Sequence, residues 1–84
     1  MYIHMKPVIF QDKEVLFSNH AIKRARKRNI AFPDQVYNTI QSGNVLYFGK
    51  NSIRFRKSTN KGSIICIGQI IGSNIIIKTV DRGN

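Results

Sequence analysis

Apolar positions open the chain in two short runs, Val8 to Phe10 and Val15 to Phe17, parted by the polar Gln11-Asp12-Lys13. They read as a small hairpin or an extended lead-in. Ser18 and Asn19 are both favourable N-caps, and the stretch from His20 to about Asn29 holds no Gly, no Pro and no β-branched run, so a helix of roughly three turns follows. Ile30-Ala31-Phe32 breaks that polar pattern. Pro33 suits the first turn of a second helix, Asp34 lies near its positive end, Val36, Tyr37 and Ile40 form its apolar stripe, and Gly43 supplies the C′ stop.

Beyond Gly43 the period changes from 3.6 to 2. Val45 to Phe48, Ser52 to Lys57, Ser63 to Ile71 and Asn74 to Val80 read as four strands. Gly49-Lys50-Asn51, Thr59-Asn60-Lys61-Gly62 and Gly72-Ser73-Asn74 mark the turns between them. Connections this short imply antiparallel neighbours, and the nearly continuous apolar character of the last two strands places them in the middle of the packing. The fold class expected is α+β: two N-terminal helices packed on a four-stranded twisted antiparallel sheet, preceded by the lead-in. A single domain is expected over residues 1–84, with lead-in strands at 6–18, a helical pair at 19–43 and the meander at 44–82.

The 84 residues suffice for one core, and 42% hydrophobic residues with 14 isoleucines exclude a disordered basic tail. Charge changes the picture most. Fourteen Lys and Arg face four carboxylates, a formal net charge of +10, which points to an anionic partner. So few acids argue against a carboxylate-dyad mechanism and against Ca²⁺ or Mg²⁺ cages. No metal site or cofactor is expected, because zinc spacing, a P-loop and a dinucleotide glycine pattern are all missing. The lone Cys66, set among Ile64, Ile65 and Ile67, reads as a buried strand thiol in a reducing compartment. No apolar run approaches a bilayer span and no signal peptide is evident, so a cytoplasmic protein without membrane contact is expected. Met1 or Met5 can serve as the start, and His4 receives no function.

The positive charge falls in two places. Lys23-Arg24-Ala25-Arg26-Lys27-Arg28 is basic at five of six positions, and His20, Arg24, Lys27 and Arg28 share one arc of the helix beside a narrow apolar side made by Ala21, Ala25 and Ile22. On the second meander strand, Ile53 and Phe55 must face the core. Arg54 and Arg56 then project from the opposite face about 6.5 Å apart, close to the phosphate spacing of a nucleic-acid strand. No carboxylate occurs between Gln35 and Val80. Lys23, Lys27, Arg54, Arg56 and Arg82 are therefore the candidate nucleic-acid-binding residues.

The stretch from Phe17 to Ile30 resembles the opening motif of the domain-of-unknown-function 4258 family: a hydrophobic residue, Ser or Thr, His-Ala, an Arg four after the His, and a further Arg before a short step into a second helix. His20, Ala21, Arg24, Arg28 and Ile30 fit, with Asn29 where Gly is usual. Ile75 to Val80 is similar to the family's last strand. The resemblance implies the fold of the RelE-like and barnase-like toxin ribonucleases, and with it a metal-independent endoribonuclease toxin or an inactive relative, acting on RNA. Such chemistry activates the RNA 2′-hydroxyl, so His20 is the candidate acid or base, with Arg24 and Arg28 as candidate catalytic cations on the phosphate. His20 also has a bland reading, as a residue orienting the helix start. Two alternatives stay open: a nucleic-acid-binding module without chemistry, and an interaction domain whose basic face meets an acidic protein such as an antitoxin.

Overall fold

A computed structural model describes residues 7–83, so His4 and the choice between Met1 and Met5 lie outside the described residues. The elements are β1 (Val8–Phe10), β2 (Lys13–Phe17), α1 (Asn19–Lys27), α2 (Asp34–Ser42), β3 (Asn44–Phe48), β4 (Ser52–Thr59), β5 (Gly62–Ile71) and β6 (Asn74–Gly83). Of the two N-cap candidates it is Ser18 that caps α1, its hydroxyl accepting from the Ala21 N–H at 3.0 Å. Asn29 takes the left-handed conformation (φ 56°) just past the helix, which Asn tolerates better than most residues. Gly43 ends α2 for a different reason from the one expected. Its backbone is extended, and a Cβ there would collide with the carbonyl oxygens of Thr39 and Arg56.

The expected architecture of two helices on a four-stranded sheet is overturned. The chain is mostly sheet: six strands in the order β1-β2-β6-β5-β4-β3, curled into a half-barrel, with only two short helices. The meander β3-β4-β5-β6 forms as the turn residues require. The lead-in, however, belongs to the same sheet, because β2 pairs in parallel with β6, from Glu14 beside Asn74 to Phe17 beside Ile77. Parallel pairing leaves no turn signature in the sequence, and two short strands far from their partner read locally as no more than a hairpin.

The curl brings together strands that the sheet order holds apart. Phe10 on β1 meets Phe55 on β4 edge-on, ring centroids 5.0 Å apart, and the Tyr47 hydroxyl on edge strand β3 donates to Gln11 Oε1 beside the other edge at 2.9 Å. Inside the curl, α2 buries Val36 and Ile40 against β4, β5 and β1. The other helix does not share that position. Where β2 ends, Ser18 takes over its bonds to β6, the N–H donating to Ile77 O at 3.0 Å and the hydroxyl to Lys78 O at 3.3 Å, and α1 continues along β6 with Ala21 and Ala25 fully buried. Alanines at these contacts let the helix approach closely. Phe55, Ile53, Ile77, Val80 and Cys66 fill the centre, all without solvent contact.

Candidate nucleic-acid interface

On β4 the alternation works as the sequence requires: Ile53 and Phe55 are fully buried, and Arg54 and Arg56 lie on the outer face, half-buried. The register fixes their neighbours. Arg54 stands between Leu46 on β3 and Ile67 on β5, and Arg56 between Asn44 and Ile65. Across β5 the same two rows reach Thr79 and Asp81 on β6. Leu46 and Phe48 on this face are 46% and 41% exposed, and Ile65 and Ile67 are half-buried.

A register shift at Ile67/Gly68 decides which side Asp81 takes. Ile75 and Ile77 point inward, and strict alternation would send Thr79 and Asp81 inward as well. The irregularity reverses the phase, so Val80 is fully buried and Thr79 and Asp81 share the side of Ile67 and Ile65.

Asp81 is where α1 joins this face. Arg24 Nη2 lies 2.6 Å from Asp81 Oδ2 and Arg28 Nε 3.0 Å from Oδ1, with the Arg82 backbone N–H donating to Oδ1 at 3.1 Å. The hydrogen bond from Arg24 outweighs the cost of burial and holds the Asp81 carboxyl below its ordinary value, with Arg28 and the Arg82 N–H adding to it. Two cations on one carboxylate leave a net positive charge. Asp81 and Arg56 are two strands apart in one row, about 10 Å. The helix cluster and the strand cluster thus flank one face, with Ile65 and Ile67 between them.

The remaining candidates divide. Lys23 and Lys27 are exposed on α1. His20 is exposed in its first turn and makes no hydrogen bond among the described residues. Arg24 and Arg28, expected beside His20 on a phosphate, are engaged by Asp81 instead. Arg82 does not join the Arg54–Arg56 wall: its guanidinium turns to three backbone carbonyls, those of Arg28 (3.4 Å), Asn29 (3.2 Å) and Lys61 (3.4 Å). Tyr37 packs on Phe17 in an aromatic cluster, and burial raises its hydroxyl pKa. The sequence reading passed over Asp81, although it is the only carboxylate after Asp34.

Among the described residues no group of three or more His, Cys, Asp or Glu side chains could hold a metal ion, and no helix is long and apolar enough to cross a membrane. Compared with protein-family models, curated proteins and solved structures, the chain matches none.

Proposed function

We propose that the protein is a small nucleic-acid-binding domain that holds single-stranded RNA on the outer face of its sheet. One observation carries the reading: Arg54 and Arg56 on one flank and the Arg24–Arg28–Asp81 cluster on the other border a single strip of the outer face that contains Ile65 and Ile67, both half-buried, with the exposed Leu46 beyond Arg54. Phosphates would meet the guanidinium groups, which bind them bidentately, and bases would lie on the apolar strip towards Leu46 and Phe48. Lys23 and Lys27 extend the positive field along α1. The motif around His20 and its resemblance to the domain-of-unknown-function 4258 family belong to this proposal, as does a cytoplasmic location, which suits a reduced, buried thiol.

RNA cleavage is the second reading, and the exposure of His20 one helical turn from Arg24 is what favours it. Incubating the protein and its His20→Ala variant with labelled RNA in EDTA separates the two. Retention of RNA without cleavage in both supports the binding domain. Cleavage lost in the variant replaces it with the endoribonuclease. Absence of any RNA binding overturns both and leaves an acidic protein as the partner of the basic surface.

A further inference from the structure

On the inner side of the sheet, away from Arg54 and Arg56, two open depressions of about 340 Å³ each adjoin across Gln35 and Thr59. One holds Asn29, Asn60, Lys61 and Arg82. The other lies between α2 and the strands and is lined by Asp34, Asn38, Thr39, Lys57 and Ile64. Each is at the small end of the ~300–1,000 Å³ range of ligand pockets.

The two linings differ chemically. Lys61 and Arg82 both line the first depression, and among the described residues no carboxylate does. The same depression is lined by Asn29, Asn60 and Gln35, whose carboxamides each have donors and an acceptor, the pair of functions that a nucleobase edge presents. Gln35 Oε1 already accepts from the Ala31 N–H at 2.7 Å, which fixes that amide and leaves its NH₂ to donate. The other depression holds the Asp34 carboxylate, the usual acceptor for sugar hydroxyls, together with Lys57, whose ammonium donates to Ser42 Oγ at 2.6 Å, and Ile64, which stands between Lys57 and Arg82 in the sheet.

The walls of the basic lobe are tied. Arg82 bridges the end of α1, through the Arg28 and Asn29 carbonyls, to the Lys61 carbonyl in the β4–β5 turn. Thr59 Oγ1 donates to Gly62 O at 2.6 Å and accepts from the Lys61 N–H at 3.2 Å, closing the same turn. A site held in this way binds with less ordering cost than a mobile one.

We infer that this cleft takes a single nucleotide, its phosphate at Lys61 and its base and sugar along Gln35 towards Asp34. The inference rests on the reading of the protein as a nucleic-acid binder, and it adds a second contact for the same class of ligand. The nucleotide is either the end of a bound strand or a free nucleoside monophosphate.

The test is ¹⁵N–¹H NMR of the full chain titrated separately with AMP, CMP, GMP, UMP, inorganic phosphate and a short single-stranded RNA. The side-chain NH₂ signals of Asn29, Gln35 and Asn60 report on the cleft directly. We expect at least one nucleotide to shift them with an affinity about tenfold above that of inorganic phosphate, about 1.4 kcal/mol. Lys61→Gln and Asn29→Gly should each weaken that response severalfold. Asn29→Gly keeps the left-handed backbone while removing the carboxamide, so core signals that stay in place certify its fold. Cleft shifts with both RNA and a nucleotide support a strand end as the ligand. Cleft shifts with a nucleotide when RNA binds nowhere support a free nucleotide and overturn the proposed function instead. RNA binding confined to the Arg54–Arg56 face, with silent cleft amides, overturns the cleft and leaves the proposed function standing. Equal affinity for phosphate and nucleotides also overturns it, and silence towards every ligand overturns both.

Discussion

Arg24 Nη2 and Asp81 Oδ2 stand 2.6 Å apart and join the basic helix to the last strand, while the same carboxylate holds Arg28. Asp81 therefore restrains two of the guanidinium groups that a phosphate would use. Asp81→Asn should release them and raise the net charge by one, tightening RNA binding about two- to tenfold at low salt and steepening its salt dependence. Arg24, Arg28 and Asp81 keep 27%, 42% and 38% of their side-chain surface exposed, so solvent screening limits the stability cost to about 1 kcal/mol or less. A binding curve in filter or fluorescence assays that weakens in Asp81→Asn would mean that the carboxylate positions the arginines instead of restraining them.

Acid should remove the same contribution. The folded-state pKa of Asp81 lies below its unfolded value, so the stabilisation is complete above the unfolded value, about 3.9, and is lost as pH falls through the folded one. Urea midpoints of the parent and of Asp81→Asn should differ at pH 6 to 7 and converge on acidification below about pH 4. A difference that persists at the acid end contradicts the ion pair as its source.

Burial pushes the Cys66 thiol up to about 12. The thiolate fraction near neutral pH is then negligible, and no solvent reaches the side chain. Iodoacetamide at pH 8 should leave the folded protein unmodified and alkylate it fully in urea. Rapid native modification would place Cys66 at the surface.

The curl depends on aromatic contact more than on the hydrogen bond between its edges. Phe55→Ala removes a fully buried ring that packs on Phe10 and should cost about 3–5 kcal/mol, comparable to the whole stability of a domain this small. Tyr47→Phe removes only the exposed bond to Gln11 and should cost about 1 kcal/mol or less. Urea denaturation of both variants checks the ranking, and a reversal would shift the closure of the half-barrel onto its edges.

Legibility in the sequence followed the range of the interactions. The meander could be read because each turn carries its own Gly or Asn, and the Arg54–Arg56 face because Ile53 and Phe55 alternate with it. The place of β1 and β2 could not, since Val15 and Phe17 find Ile75 and Ile77 from the other end of the chain by parallel pairing. The site was legible by half. Helical spacing put Arg24 and Arg28 on one arc, but their partner Asp81 reaches the outer face only through the shift at Ile67/Gly68, and simple alternation along β6 points it inward. Arg82, read as part of a cationic wall, is drawn to carbonyls at the ends of α1 and β4, a meeting that depends on the folded chain.

The central claim is that the outer face of the sheet holds RNA through Arg54 and Arg56 together. Equilibrium binding of a short single-stranded RNA, followed from about 50 to 200 mM salt for the parent and for Arg54→Gln/Arg56→Gln, tests it most directly. Single-strand binding loses about 0.7 in logarithmic slope for each phosphate contact removed, so the double variant should bind more weakly at every salt concentration and show a slope shallower by about 1.4. An unchanged slope and affinity in the variant, with its fold intact by circular dichroism, would contradict the account.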